Sequence, residues 1–384
     1  MKNIVILGST GSIGKNALDV ARRFPGRFKV SALSANSNIE LLLRQIREFR
    51  PYCVCVRDKE AACRIAGKLG RGIKLFAGKQ GLPEMVRGVK ADRVLLAISG
   101  AEALSPLLAA IDSRKDVALA NKEALVMAGS IIMSRAREKK VRILPIDSEQ
   151  SAIWQCLSGE DPAKLKRIYL TASGGPFLKL ERSRFKNITR AQVLRHPRWK
   201  MGKKITVDSA TLVNKGLELI EAMFLFEVGV DKIKILMHPE AIIHSMVEFV
   251  DGVTMAQLSA TDMRIPIQYA LTYPERAPGA PVSFDFYKLG AMHFEKPDFS
   301  RFPSLGLAYR AAGELGTLPA VFNAANEVGV EGFLGGRVNF VSIVKVTEAV
   351  MKRHRNVSRP SLGAILEADA WAREEASSFV SRMD

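Results

Sequence analysis

The feature that most constrains this 384-residue chain lies at its start, where the aliphatic run Ile4-Val5-Ile6-Leu7 breaks into Gly8-Ser9-Thr10-Gly11-Ser12-Ile13-Gly14. Glycines three apart at the end of a short aliphatic run predict a strand that turns sharply into a helix starting near Lys15. Backbone without Cβ atoms can come close to a pyrophosphate, and the helix start adds N–H groups and a positive dipole end. The spacing is GxxGxxG rather than GxGxxG, so by itself it also suits an ordinary glycine-rich turn. Its position at the first βα turn of an alternating chain is what favours a dinucleotide.

That alternation continues through residue 146. Ile4–Leu7, Lys29–Leu33, Tyr52–Val56, Arg93–Ile98, Val117–Ala120 and Val141–Leu144 read as strands, with helical periodicity between them at 39–49 and 101–111. The order predicts an α/β fold whose N-terminal Rossmann-like domain, residues 1–146, holds a parallel sheet covered by helices. Residues 147–273 read as a second α/β domain, with strands at 167–171, 233–237, 246–250 and 254–258 and a helix over 210–226. A Pro-rich connector, 274–297, leads to a C-terminal α-helical bundle over 298–384 with helical patterns at 304–315, 320–334, 341–352 and 361–379.

Hydrophobic residues at 47% and charged residues at 25% exclude disordered and fibrous classes. Lys and Arg outnumber Asp and Glu by 57 to 39, a net +18, which raises nucleic acid, an anionic membrane or a phosphorylated ligand as partner. The excess is local. Residues 1–146 hold 27 basic and 12 acidic side chains, or +15, so it belongs to the dinucleotide half. A nucleic-acid binder would interleave basic clusters with exposed aromatics, but aromatics are only 7% and no such pattern is present. No apolar run reaches the roughly 18–20 residues that span a bilayer. The four cysteines, Cys53, Cys55, Cys63 and Cys156, fit neither a disulfide framework nor CxxC metal spacing. The expectation is a cytoplasmic protein with buried reduced thiols, binding small-molecule phosphates and neither nucleic acid nor membrane.

An NAD-binding fold usually ends its second strand in Asp or Glu, which holds the ribose 2′-hydroxyl. Here that stretch is Leu33-Ser34-Ala35-Asn36-Ser37-Asn38, and the first carboxylate, Glu40, already lies in the next helical pattern. No acid is placed to repel a 2′-phosphate, so NADP(H) is favoured.

Past the strand at 141–144, Asp147 and Glu149 would face the same side of an extended segment. Two such acids also suit a solvated loop. Asn214, Lys215 and Glu218 form one polar patch on an otherwise apolar helical pattern, and Glu218 is the candidate third ligand. Three carboxylates without nearby Cys or His suit Mg²⁺ or Mn²⁺ rather than Zn²⁺. Ser173-Gly174-Gly175 follows a strand and, with Ser209, Asn214 and Lys215, offers a second phosphate site. Residues 195–202, with Trp199, read as a loop anchor or a lid, and Asn121-Lys122-Glu123 sits at a carboxyl strand end where ligands bind in open α/β sheets. His238 and His244, beside apolar strands, read as structural.

Taken together, GSTGSIG at 8–14, LANKE at 119–123, PIDSE at 145–149, TASGGPF at 171–177, HPRWKMG at 196–202 and ITVDSATLVNKGLE at 205–218 resemble the 1-deoxy-D-xylulose 5-phosphate reductoisomerase family. HPEAIIHSMVEF at 238–249, DMRIP at 262–266 and FNAANE at 322–327 extend the resemblance nearly end to end. It implies a homodimer that converts 1-deoxyxylulose 5-phosphate to 2-C-methylerythritol 4-phosphate with NADPH and one divalent metal ion, the second domain carrying the dimer interface. By resemblance, Asp147, Glu149 and Glu218 are the metal ligands, and Ser173, Ser209, Asn214 and Lys215 surround the substrate phosphate. Ser148, Glu149, Lys122 and His196 are further substrate contacts, with Lys122 also a candidate electrostatic stabiliser. Trp199 and Met201 are lid residues. Gly8, Thr10, Gly11, Ser12, Ile13, Ala35, Asn36, Ser37, Asn38, Asn121, Lys122, Glu123, Gly202 and Met263 are the expected cofactor contacts.

One departure stands out. Some family members place a basic residue in the loop after the second strand, where this chain has Asn36 and Ser37. NADPH preference would then rest on neutral donors, with Arg57 a further candidate. The runner-up reading is another NADP-dependent reductase of a phosphorylated or carboxylated aldehyde. A thiol nucleophile would favour it, and no cysteine lies at a strand end with a histidine nearby in sequence.

Overall fold

The computed structural model describes every residue except Lys200, Ala280, Pro281, Ser283, Phe284 and Asp384. Lys200 of the expected lid and part of the expected connector therefore lie outside the described residues. The chain divides into two compact units: Met1–Ala124, Ile131–Ser151 and Asp262–Val282 form the first, and Leu125–Ser130, Ala152–Thr261 and Ser283–Asp384 the second.

The first unit is built on seven strands: β1 (Lys2–Leu7), β2 (Phe28–Ala35), β3 (Cys53–Val56), β4 (Lys74–Ala77), β5 (Arg93–Leu96), β6 (Asp116–Leu119) and β7 (Ile143–Pro145). They pair in parallel in the order β4-β3-β2-β1-β5-β6-β7. Parallel strands covered on both faces read as continuous apolar runs. Accordingly, Ile4, Val5, Ile6, Leu7, Val94, Leu95 and Leu96 are fully buried. Strand β4 escapes sequence reading because it is a four-residue, partly exposed edge strand whose apolar run is only Leu75-Phe76-Ala77. The chain leaves β1 toward β4 and crosses back to β5, so the order reverses between β1 and β5. Ligands of open α/β sheets bind at the carboxyl ends of such a reversal.

Asp262–Val282 belongs to the first unit, although residues 262–273 were expected to close the second domain and the rest to begin the connector. Buried Arg93 donates to the carbonyls of Ala270 and Leu271, the latter at 2.9 Å, and Arg264 reaches Asp19 on the helix Ser12–Arg23 at 3.1 Å. A buried guanidinium needs such acceptors, and the end of the helix Arg264–Thr272 supplies them.

The second unit holds β8 (Leu165–Ala172), β9 (Ile233–Met237), β10 (Ile243–Phe249) and β11 (Thr254–Leu258) in the order β11-β10-β8-β9, with only β8 and β9 parallel. The C-terminal helices Ser304–Glu314, Leu318–Gly335, Phe340–Arg353 and Leu362–Ser381 share one core with this sheet, through Ile168, Leu170, Leu217, Ile220, Phe322 and Val346. Residues 298–384 are thus packed as part of the second unit rather than as a bundle with its own core. Close approach requires small residues: a Cβ on Gly216 would stand 2.5 Å from the Cβ of Ala308.

The helix expected over 210–226 is Val213–Phe226, and a separate helix that sequence reading did not expect, Lys203–Ala210, precedes it. Leu212 between them is left-handed at φ 59°, and Ser304 donates to the carbonyl of Thr211 at 2.5 Å, fixing the break. The break is what sets Ser209 and Asn214 on separate helices.

Candidate active site

At the carboxyl end of β1 the glycines have distinct steric duties. Gly8 is left-handed at φ 83°, and a Cβ there would come within 2.6 Å of the carbonyl oxygen of Ala97. A Cβ on Gly14 would come within 2.2 Å of the carbonyl oxygen of Gly8. Helix and turn are therefore in backbone contact, and the helix begins at Ser12, one turn earlier than expected, with no side-chain cap on Gly11. Gly11 and Ser12 are exposed, and Thr10 and Ile13 half-buried, so the turn presents its backbone outward.

A polar brace holds this turn from below. Ser34 of β2 accepts from the N–H of Gly8 at 2.9 Å, Ser9 donates to Gln45 at 2.7 Å, and Gln45 returns a bond to the carbonyl of Ser9 at 2.9 Å. All three side chains are buried. Past β2, Ala35 is buried while Asn36, Ser37 and Asn38 are exposed, and Asn38 caps the helix Ile39–Phe49 by accepting from the N–H of Leu41 at 3.2 Å.

Beyond β6, Asn121 donates to the carbonyls of Ile98 and Gly100 at 2.9 and 3.1 Å and to Glu123 at 2.8 Å, and it accepts from the N–H of Ala124 at 2.9 Å. Its side chain is spent on holding the loop after β5 against the start of the helix Glu123–Lys139. Buried Lys122 places its Nζ 2.8 Å from Oδ2 of Asp147.

Asp147 and Glu149 do not lie on an extended segment, as the i, i+2 argument expected. A helix, Ser148–Cys156, begins between them, and the carbonyl of Asp147 accepts its first bond, from the N–H of Ser151 at 2.8 Å. Asp favours such a starting position. Glu149 is then in the first helical turn, with the Ser148 hydroxyl donating to it at 2.6 Å. Met263 precedes the helix Arg264–Thr272 and belongs to the same unit as the glycine turn.

In the second unit, β8 runs into Ser173-Gly174-Gly175, whose glycines are left-handed at φ 81° and 65°. A Cβ on Gly175 would lie 2.9 Å from the carbonyl oxygen of Ser209, so this loop sits on the end of the helix Lys203–Ala210. His196 joins them. Its Nε2 is 3.0 Å from the Ser209 hydroxyl and 3.4 Å from that of Ser173. Its Nδ1 accepts from the N–H groups of Trp199 at 2.9 Å and Arg198 at 3.2 Å. With Nδ1 accepting, the neutral ring carries its proton on Nε2. Burial agrees, pushing the imidazole down to about 4 from its usual value near 6.5. Three predicted substrate residues thus converge in one polar cluster of two hydroxyls and an imidazole N–H.

The helix Val213–Phe226 carries the other group. Buried Glu218 accepts from Asn214 through one oxygen and from Lys215 through the other. Half-buried Trp199 packs its ring 6.2 Å from that of His244, and Arg198 donates to the carbonyl of Pro239 at 3.1 Å. Met201 is half-buried, and exposed Gly202 starts the helix Lys203–Ala210.

Models of this family match three stretches of the chain: 1-deoxy-D-xylulose 5-phosphate reductoisomerase over 4–129, its C-terminal domain over 143–226, and the DXP reductoisomerase C-terminal domain over 258–375. The reductoisomerase of Caldanaerobacter subterraneus subsp. tengcongensis is 50% identical over 375 residues, covering 97% of this chain and 98% of its own length. That of Symbiobacterium thermophilum is 49% identical over 387 residues, with full coverage of both. The chain belongs to the DXP reductoisomerase family. Solved family members agree in fold: the Zymomonas mobilis reductoisomerase in complex with NADPH superposes with a TM-score of 0.91 at 39% identity, covering 99% of each chain. A reductoisomerase in complex with NADPH, fosmidomycin and magnesium gives 0.92 at 36% identity, covering 99% of this chain and 98% of its own.

As a DXP reductoisomerase the chain is an NADPH-dependent oxidoreductase, and its thiols are consistent with that chemistry. Burial pushes Cys53 and Cys156 up to about 11 and Cys55 to about 12, so none of them is a ready nucleophile. Cys63, expected buried, is exposed. The histidines expected to be structural have structural partners: Nδ1 of His238 lies 3.0 Å from the carbonyl of His293, and Nε2 of His244 lies 3.2 Å from that of Ser259. Among the described residues no helix is long and apolar enough to cross a membrane. Sequence reading gave no role to Ser34, to Gln45 or to Glu102, the last being the ion-pair partner of Arg57. Ser34 and Gln45 left a faint signal, as polar residues at otherwise apolar positions of a buried strand and helix. Glu102 left none.

Proposed function

We propose that this chain rearranges 1-deoxy-D-xylulose 5-phosphate and reduces the product to 2-C-methyl-D-erythritol 4-phosphate, using NADPH and one Mg²⁺ or Mn²⁺ ion. The observation that carries the reading is the complete set of family motifs on a chain alike over its full length to reductoisomerases, each motif in a geometry that suits its role.

The cradle at 8–14 suits a pyrophosphate: backbone contact at Gly8 and Gly14 makes the turn tight, and exposed Gly11 and Ser12 leave the start of the helix open. Gly8, Thr10, Gly11, Ser12 and Ile13 would take the pyrophosphate, and Ala35, Asn36, Ser37 and Asn38 the adenosine end. Asn121 and Glu123 would shape the loop after β5, with Lys122, Gly202 and Met263 toward the nicotinamide. Asp147, Glu149 and Glu218 each offer a hard carboxylate oxygen, the donor set a small divalent ion requires. We assign the metal to these three residues. When bound, it supplies Lewis acidity to the carbonyl and hydroxyl oxygens of the substrate, and NADPH supplies the hydride.

The protein's own side chains do the rest. Ser173, Ser209 and the Nε2–H of His196 donate to the substrate phosphate, and Asn214 and Lys215 complete its hold. Ser148 and Lys122 orient the oxygens near the acids, and the Lys122 ammonium offsets negative charge developing on them. Binding energy from the remote phosphate orients the reacting carbons. Trp199 and Met201 close over the substrate and keep water from the aldehyde until it is reduced.

We place the enzyme in the cytoplasm as a homodimer. Support for a second copy comes from the edge strand β11, where Met255 is exposed, and from exposed Val250 and Val253 in the turn leading into it, since an open strand edge with apolar side chains is a pairing surface. The test is NADPH oxidation with 1-deoxyxylulose 5-phosphate, with and without added Mn²⁺ or Mg²⁺. Metal-dependent turnover is expected. Folded protein that shows none overturns the reading.

A further inference from the structure

Strand β2 ends without an acid and its loop without a base, so the loop offers a 2′-phosphate only neutral donors, and a charged partner has to come from another element. The candidate is Arg57, the first residue after β3. Its N–H donates to the carbonyl of Ala35 at 3.0 Å, and that of Asp58 donates to the carbonyl of Asn36 at 3.1 Å. These two bonds tie the ends of β2 and β3 together, fixing the Arg57 backbone beside Asn36.

The side chain then crosses the sheet edge. Nη1 approaches Oδ1 of Asn36 at 3.5 Å, and Nη2 pairs with the carboxylate of Glu102. Glu102 lies on the short turn Ala101–Ala103 after β5, on the far side of β1. The guanidinium therefore spans the carboxyl ends of β2 and β1, next to the glycine turn and over the reversal point of the sheet. Other charges nearby are engaged or turned away: Asp58 accepts from the N–H of Ala61 at 2.7 Å, and Glu40 is exposed on the next helix. Arginine carries five N–H donors in a planar fork, so one edge can stay on Glu102 while another meets a phosphate. The Arg57 side chain is 38% exposed, open enough for that contact.

We infer that Arg57, held over the crevice by Glu102 and Asn36, reads the 2′-phosphate of NADPH and sets the preference for NADPH over NADH. The inference rests on the NADPH reading above and adds the residue that discriminates. Charge-assisted hydrogen bonds of this kind correspond to roughly 10- to 100-fold in affinity.

The experiment is calorimetric titration of the full chain with NADPH and with NADH, without substrate, for wild type, Arg57→Ala and Arg57→Lys. Arg57→Ala should weaken NADPH by about 10- to 100-fold and NADH by less than about threefold, with Arg57→Lys in between because charge remains and the fork is lost. Equal losses for both cofactors, or no loss for NADPH, overturn the inference while leaving NADPH as the cofactor. Wild-type protein that binds neither dinucleotide overturns the cofactor reading itself, and this inference with it. Unfolding temperatures of the variants check that the exposed site is not a folding determinant.

Discussion

Replacing Gly14 by Ala tests whether the glycine turn is shaped by backbone contact. The new Cβ would lie 2.2 Å from the Gly8 carbonyl oxygen, 2.5 Å from Cα of Ser9 and 2.8 Å from its carbonyl carbon. Every obstacle is main chain, so no rotamer change relieves the clash. Ordinary contacts are roughly 3.5 Å, so the helix Ser12–Arg23 must retreat by about 1 Å. Overpacking of this kind costs about 1–3 kcal/mol. At about 2–4 °C per kcal/mol for a unit of this size, the unfolding temperature should fall by roughly 2–12 °C. The same displacement pulls the turn's N–H groups away from the pyrophosphate, so NADPH affinity should drop at least about tenfold. Gly67→Ala is the matched control: Gly67 is right-handed at φ −73°, and a Cβ there meets nothing within 4 Å. That variant should be neutral or gain up to about 1 kcal/mol. Thermal unfolding and NADPH titration of the two variants decide the matter. Gly14→Ala protein that melts and binds like wild type would refute the steric account of the motif.

Two further outcomes follow from charge. His196 is neutral in the folded protein down to about pH 4, while the unfolded chain takes up the proton near 6.5. The stability of the neutral ring is therefore fully present above pH 6.5 and lost as pH falls toward 4, and His196→Gln should flatten that part of the urea-denaturation profile. The net +15 on residues 1–146 should draw in a polyanionic dinucleotide, so stopped-flow NADPH association should slow as salt rises from about 50 to about 500 mM, which shortens the Debye length about threefold. Salt-independent association would leave the charge without a role in cofactor capture.

The glycine turn, the aliphatic parallel strands and the C-terminal helices were legible because each is a local pattern: close backbone contact demands glycine, and double-sided burial demands aliphatic runs. What eluded the sequence depends on tertiary partners. Strand β4 exists because β3 offers it an edge, and the break at Leu212 is held by Ser304, some ninety residues away. A helix starting at Ser148 replaces the extended segment assumed for Asp147 and Glu149, although their carboxylates still come together. Helix Arg264–Thr272 joins the first unit because buried Arg93 needs its carbonyls, a requirement no stretch of local sequence states. Residue types and spacing pointed to Ser173, Ser209 and Glu218 as candidates, and the family resemblance added His196. The protonation state of His196 emerged only once two backbone N–H groups were seen to meet its Nδ1.

Glu218, buried on a helix beside Asn214 and Lys215, is proposed to act with Asp147 and Glu149 as a metal ligand rather than as a structural ion pair. The direct test is Mn²⁺ binding to Glu218→Gln and wild-type protein, followed by electron paramagnetic resonance alongside NADPH titration. The account predicts that the variant keeps NADPH affinity within about threefold while losing tight Mn²⁺ binding and turnover together. A variant that binds Mn²⁺ as wild type does, or that loses NADPH binding and fold along with it, would contradict the assignment.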